Sequence, residues 1–257
     1  MKKILVTLFA AITVFTATAQ TKEIGDSDMN LFKAALKGWH VHLSAGYNIG
    51  GTAPLPLPVE IRSIESYNPG LNLSLEGTVE KMFGKGNWGL RWGIRLETKG
   101  MTTEADTKNY FTEIKSDGKT IKGPWTGNVR ISVRNTYLTL PVLAVYKINQ
   151  RWNVSGGIYV SYLLNGEFSG NVSNGYIREE NPTGEKVGIE SAVYQFNDEL
   201  SKFSYGLQAG GEYKAYKHLS IFANLTWGLN SIFPDSFKSI TFPLYPIYGT
   251  LGFAYLF

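Results

Sequence analysis

The sequence predicts an all-β protein: an eight-stranded antiparallel up-and-down transmembrane β-barrel with short periplasmic turns and four long extracellular loops. Three observations predict it. Apolar and polar residues alternate with a period of two in eight segments, as strands with two unlike faces do. The connections between segments are alternately long and short, the plan of a barrel whose loops leave one rim and whose turns close the other. The charged residues share a face with glycine and serine while the opposite face is greasy, which suits a polar lumen inside a lipid-facing wall.

Taken in order, residues 1–19 read as a secretory signal. Lys2 and Lys3 precede an apolar run from Ile4 to Phe15, and Ala17-Thr18-Ala19 stands before Gln20, so removal is expected after Ala19. The run is shorter than the roughly 20 residues a spanning helix needs. Residues 20–38 form an N-terminal periplasmic segment, with a short helix expected over Asp26 to Lys37 and ended by Gly38. Residues 39–257 are the barrel.

The first strand sets Trp39, Val41, Leu43, Ala45, Tyr47 and Ile49 against His40, His42, Ser44, Gly46, Asn48 and Gly50. Leu71, Leu73, Leu75 and Val79 oppose Asn72, Ser74, Glu76, Thr78 and Glu80 in the second. In the third, Trp88, Leu90, Trp92, Ile94 and Leu96 oppose Arg91, Gly93, Arg95, Glu97 and Lys99. The fourth, about 129–148, is ambiguous: Leu138, Leu140, Val142, Ala144 and Tyr146 form one apolar face, but Leu143 and Val145 also fit, and a bulge at Pro141, which lacks an N–H, would switch the phase. The fifth and sixth present Trp152, Val154, Ile158, Val160 and Tyr162, then Phe203, Tyr205, Leu207, Ala209 and Tyr213. The last two present Leu219 to Leu229 and Tyr245 to Phe257 on alternate positions. Each strand is expected to span about 9 to 11 residues, a tilted crossing of the hydrocarbon layer. Long connections are expected at 51–68, 101–127, 165–201 and 231–243, and short turns near 83–87, 149–151 and 215–217.

The charges choose the outward face. Glu76, Glu80, Arg91, Arg95, Glu97, Lys99, Glu212 and Lys214 all lie with the small polar residues, so an ion network filling a narrow lumen is expected, with His40 and His42 at its periplasmic end. Two imidazoles do not complete a metal site, and neither a metal nor another cofactor is expected. Aromatic residues mark two interfaces. Trp39, Trp88, Trp152, Tyr213, Tyr255 and Phe257 fall toward the turn rim, and Tyr47, Tyr67, Tyr162, Phe203, Trp227 and Tyr245 toward the loop rim.

The signal ending in Ala19-Gln20, the "YLTLPVLAVYKINQRWNVSGGIYVSYLLNG" block from Tyr137 to Gly166, the "YGLQAGGEYKAYKHLSIFANLTWGLNSIF" block and the terminal "GTLGFAYLF" resemble the PorT-type outer-membrane β-barrel family of Bacteroidota-like Gram-negative bacteria. The resemblance covers the mature chain. It implies an eight-stranded barrel in the outer membrane, and Phe257 is similar to the C-terminal aromatic by which assembly machinery recognises such chains. It implies no active site.

Gly84, Gly86 and Gly89 have the spacing of a dinucleotide-binding fingerprint, but that motif needs a helix after its last glycine and here a strand follows. The glycines are expected in a hairpin turn. With the turn centred between Lys85 and Gly86, Glu80 faces Arg91 and Glu76 faces Arg95.

Composition excludes several functions. Removing Lys2 and Lys3 from the 25 basic residues leaves 23 against 21 acidic ones, without a basic cluster, so nucleic acid is not an expected partner. There is no cysteine, hence no disulfide, lipid-anchored thiol or thiolate site. No Ser-His-Asp set can be assembled, since His218 lies in a periplasmic turn. The third long connection is acidic, with Glu167, Glu179, Glu180, Glu185, Glu190, Asp198 and Glu199 against Arg178 and Lys186, and it reads as solvated or cation-binding. Pro54, Pro56 and Pro58 are expected to stiffen the first. The reading is a non-enzymatic monomer with a side-chain-filled lumen, serving envelope structure or loop-mediated binding. Its partners are outer-membrane lipid and lipopolysaccharide, and assembly machinery during insertion. A role in transport or protein secretion, with an unidentified partner, stays open, as does a weaker lipid-modifying alternative.

Overall fold

Alternating sequence becomes antiparallel ladder in ten strands; the residues described in this computed structural model are 38–84, 86–116, 119–179, 181–237, 239–240 and 242–257. The expected signal and N-terminal helix lie outside them. His40–Phe257 forms one compact unit. Its strands are β1 (His40–Pro54), β2 (Ile61–Asn68), β3 (Leu73–Met82), β4 (Trp88–Ser116), β5 (Lys119–Lys147), β6 (Trp152–Arg178), β7 (Lys186–Gln195), β8 (Phe203–Lys214), β9 (Leu219–Gly228) and β10 (Leu244–Leu256). The pairings run β4-β3-β1-β10-β9-β8-β6-β5, and β5 pairs back onto β4. Eight strands therefore close a ring, while β2 adds to β4 and β7 to β6. Closure leaves the eight strands without a free edge over their shared length.

Short turns close one rim. Phe83 N–H donates to the Trp88 carbonyl at 2.8 Å, and Gly84 takes φ 56°, a left-handed conformation that favours glycine. The glycine triplet is thus part of a hairpin, and β4 follows it. Asn149 caps the second turn, its Oδ1 accepting the N–H groups of Arg151 and Trp152 at 2.8 and 2.9 Å. At the third, Ala215 N–H donates to the Leu219 carbonyl at 2.9 Å.

The wall is inside-out relative to a water-soluble sheet. Leu43, Leu73, Leu75, Ile94, Leu140, Ile158, Leu207, Leu225 and Phe253 point outward and are exposed, while Ser44, Ser74, Thr78, Arg95, Thr139, Gln208 and Thr250 are buried inside. Small residues let the ring close tightly. A Cβ on Gly46 or Gly252 would lie 3.2 or 2.8 Å from the Phe222 ring, which fills the lumen against both.

Four expectations are corrected. First, strands are not uniformly 9 to 11 residues: β4 and β5 have 29 each and β6 has 27. Second, 101–127 is not a loop but part of a hairpin whose β4–β5 pairing reaches from Met101↔Val133 to Ser116↔Lys119, with one register shift between Thr107 and Tyr110. Its Thr, Val, Ile, Tyr and Phe residues favour a pleated surface. Third, 165–201 holds the upper half of β6 and all of β7, and 51–68 holds the end of β1 and β2. Pro54 ends β1, and Ile61 N–H donates to the Pro58 carbonyl at 3.2 Å, so the proline segment turns instead of extending. Fourth, β5 has no bulge at Pro141. Leu140↔Val160, Pro141↔Tyr159 and Val142↔Ile158 keep one register, and Leu138, Leu140 and Val142 face outward throughout. The missing N–H falls where the β4–β5 pairing lapses between Trp92↔Val142 and Arg95↔Thr139 without shifting. Leu143 and Val145 are buried inside the ring.

Above the long-connection rim the inner face changes character. Tyr110, Trp125, Val129, Val133, Phe168, Val172 and Ile177, on β4 to β6, form an apolar core with Ile189, Ala192 and Tyr194 of β7 and with Ile232 and Phe233 of the last connection.

Candidate functional site

The lumen holds a stack of ionic and polar layers whose members are set by ladder register. β3 and β4 pair as Glu80↔Arg91 and Glu76↔Arg95, the register predicted from the turn. In the layer nearest the turns, Arg91 donates from Nε and Nη2 to Glu80 Oε2 at 2.9 and 2.6 Å, and from Nη2 to Glu212 Oε2 at 2.7 Å. Glu212 belongs to β8, so Arg91 bridges opposite sectors of the ring. His42 Nε2 stands 3.7 Å from Glu80 Oε2.

The next layer centres on Arg95, which donates to Glu76 and, at 2.8 Å, to Gln208 Oε1 on β8. Glu97 is shared: its Oε2 lies 3.7 Å from Arg95, while its Oε1 accepts from Thr139 at 2.8 Å and lies 3.1 Å from Lys99 Nζ. Lys99 ends inside a cage of three tyrosine rings, 5.0 Å from the centroid of Tyr159, 5.8 Å from Tyr248 and 5.9 Å from Tyr137. An ammonium over aromatic faces is attracted by the ring quadrupoles. At the top, Thr250 Oγ1 donates to Asn48 Oδ1 at 2.7 Å, and Asn48 Nδ2 to the Thr98 carbonyl at 2.9 Å.

This arrangement can obstruct the lumen. Each buried charge has an opposite partner, the condition under which burial of ions is tolerated. Glu76, Glu80, Arg91, Arg95, Glu97, Lys99, Glu212 and His42 are brought together. Two expected members are not. His40 and Lys214 are exposed and line a cavity of about 860 Å³ that opens at the turn rim, with Lys147, Arg151 and Lys217 around its mouth. Both sit at strand ends, His40 as the first residue of β1 and Lys214 as the last of β8, where water solvates them.

The aromatic residues gather at the rims. Trp88 packs on Tyr146, Trp152 on Tyr213 and Tyr255 on Phe257, each with ring centroids 4.9 Å apart. Trp39 is half-buried just before β1. Phe257 N–H donates to the Val41 carbonyl at 3.1 Å and its ring is exposed. At the other rim Tyr162 meets Phe203 edge-on at 5.3 Å, Tyr47 donates to the Gly70 carbonyl and Tyr67 to the Gly50 carbonyl at 2.7 Å; Trp227 and Tyr205 are exposed, and Tyr245 is half-buried.

The tyrosine cage escaped the sequence reading. Tyr159 shares parity with Ser155, Gly157 and Ser161, and Tyr248 with Thr250 and Gly252, so parity alone marks both as inward. Among the described residues no group of three or more His, Asp or Glu side chains is placed to hold a metal. In the acidic connection, Arg178 and Lys186 flank the Tyr176 ring at 5.7 and 4.6 Å. His218 Nδ1 lies 2.8 Å from the Leu256 carbonyl oxygen, in a turn.

Comparison with known proteins places these features in context. The family model described as "Outer membrane protein beta-barrel domain" matches residues 18–234. No curated protein sequence gives a significant match. Among solved structures, the chain is similar to Ail, the attachment invasion locus protein of Yersinia pestis, at 13% identity over 85% of this chain and 97% of that one, with a TM-score of 0.34. It is also similar to Neisserial surface protein A, at 9% identity, 86% and 97% coverage and a TM-score of 0.30. The outer membrane protease OmpT from Escherichia coli aligns at 13% identity, 85% and 96% coverage and a TM-score of 0.34.

Proposed function

Because the chain belongs to the outer membrane protein β-barrel domain family, we propose that it works as a non-enzymatic, monomeric barrel, closed to bulk flow, that presents its long hairpins outside the cell for binding. In this reading the signal is removed after Ala19, the short turns face the periplasm, and β2, β7 and the upper halves of β4 to β6 stand beyond the outer leaflet. The barrel is of the PorT type, contacts lipid and lipopolysaccharide, and is delivered by assembly machinery that reads Phe257.

One observation carries the closed-barrel reading: the Arg91–Glu212 and Arg95–Gln208 contacts join opposite walls through buried side chains. Eight strands leave an interior that side chains fill. In planar bilayers the wild type is expected to give no steady current. A persistent ohmic conductance from the wild type contradicts the closed barrel.

A second reading, an accessory of transport or secretion, is favoured by the turn-rim cavity, where Lys147, Arg151, Lys214 and Lys217 surround His40, Glu80 and Glu212. It predicts stoichiometric capture of periplasmic secretion components by the native protein. Loss of that capture on reversing Lys214 and Lys217 to glutamate supports it, and no capture at all removes it. A lipid-modifying enzyme is the weakest reading, since His218 is engaged at the turn rim, far from the outer leaflet in this orientation.

A further inference from the structure

We propose that the turn-rim cavity is a binding site for a multivalent oxyanion, a soluble molecule carrying two or more phosphate or carboxylate groups. This deepens the accessory reading, which uses the same rim, by naming the chemistry the site takes. The anion is measured without any secretion component, so either can fail while the other stands.

The cavity, of about 860 Å³, lies within the range of roughly 300–1,000 Å³ typical of ligand pockets. Its cations come from one sector of the ring, where β5, β6, β8 and β9 are consecutive. Lys147 ends β5, Lys214 ends β8, and Arg151 and Lys217 stand in the second and third turns. Among the described residues, none of the four lies within ion-pair distance of a carboxylate. Arg151 Nη1 donates to the Tyr213 hydroxyl at 3.3 Å, a neutral partner that positions the guanidinium and leaves its charge uncompensated.

The carboxylates in the lining do not supply the missing charge. Glu80 and Glu212 both accept from Arg91, at 2.6 and 2.7 Å, and are buried at the inner end. His42 lines that end too, and its buried Nε2 makes no hydrogen bond, a polar atom that the ion network does not use. Between the charges stand neutral amides, those of Asn87, Asn149, Gln150 and Asn153.

The occupant follows from this imbalance. A concave surface dominated by one sign of charge focuses its field and concentrates counter-ions. A single exposed ammonium is screened by salt, whereas four cations around one cavity favour an anion that meets several at once. A cation would be repelled by all four, and an alkyl chain would have to desolvate them. Water reaches the mouth, since Arg151, Lys214 and Lys217 are exposed.

The test uses the full protein in nanodiscs of zwitterionic phosphatidylcholine, which leave both rims in buffer. Calorimetric titration with pyrophosphate, and separately with citrate, is expected to show one saturable site whose affinity falls as sodium chloride is raised. Lys214→Gln combined with Lys217→Gln is expected to weaken that affinity by about tenfold or more. Lys108→Gln combined with Lys202→Gln removes the same charge from exposed positions outside the cavity and is expected to leave it unchanged. Heat-modifiable migration checks that each variant is folded. Absence of saturable binding, or equal weakening in both pairs of substitutions, overturns the inference. Cardiolipin added to the nanodisc separates the sources of phosphate. An unchanged pyrophosphate affinity supports a soluble ligand, whereas competition by cardiolipin places lipid phosphates in the cavity and overturns the soluble source.

Discussion

The same three strands, β4, β5 and β6, build two regions that are inverted copies of one another in polarity. In the lower one, apolar side chains face out and ions face in: Ile94 is 55% exposed, whereas its neighbour Arg95 is 2% exposed. In the upper one, apolar side chains face in, with Val133, Phe168 and Val172 buried and Arg130 and Arg134 exposed. The β5 backbone does not change phase between them, since odd positions point inward from Val129 to Val145. What changes is the solvent. A sheet crossing from hydrocarbon into water keeps its register and exchanges the chemistry of its faces.

The comparison is broken most severely by Arg95→Ala. It leaves Glu76 and Glu97 as buried carboxylates short of their partner and is expected to cost about 3–5 kcal/mol, read as a lowered heat-modification midpoint in detergent or bilayer. Next comes Ile94→Arg, which puts a charge into the lipid-facing wall and is expected to cost about 2–4 kcal/mol in equilibrium unfolding from lipid vesicles.

A third prediction separates the regions by pH. Burial beside Tyr194 in the upper core pushes the Tyr110 phenol from 10.0 up to about 12. The folded state holds this proton more tightly than the unfolded state. The contribution is therefore complete below about pH 10 and disappears as pH rises through 12, a loss of about 2–3 kcal/mol. Fluorescence of the buried Trp125 is expected to report opening of the upper core in this window, and Tyr110→Phe to reduce the effect. An unchanged transition in Tyr110→Phe argues against this cause. The smallest effect sharpens the boundary: Ser191→Ala, on the solvent-exposed side of β7, is expected to stay within about 0.5 kcal/mol of wild type in the same unfolding assay.

How much of this was legible follows the same division. In the lower region one rule, greasy outside and small or charged inside, located eight walls, and turn geometry supplied the Glu80–Arg91 register. Lys99 was readable as inward, but its tyrosine cage was not, because Tyr137, Tyr159 and Tyr248 come from three strands that only closure assembles. Tyrosine also suits either face. In the upper region the rule itself inverts, so Ala105, Tyr110 and Trp125, which are buried inside, fall within a stretch, 101–127, that reads as a loop. β2 and β7 were missed for a related reason. Each covers another strand's edge and is mostly exposed, as the run Arg62 to Asn68 shows, so neither carries a continuous apolar stripe.

The inversion along β5 is the central claim, and a single-cysteine nitroxide scan of residues 129–145 in liposomes tests it directly, since the chain has no native cysteine to remove. Labels at 138, 140 and 142 are expected to be accessible to oxygen and shielded from an aqueous nickel complex. Labels at 130 and 134 should show the opposite, and buried odd positions such as 133, 139 and 145 should be shielded from the nickel complex in both regions. If the even positions are wet from one end of the scan to the other, or embedded in lipid from one end to the other, the two-solvent account is wrong.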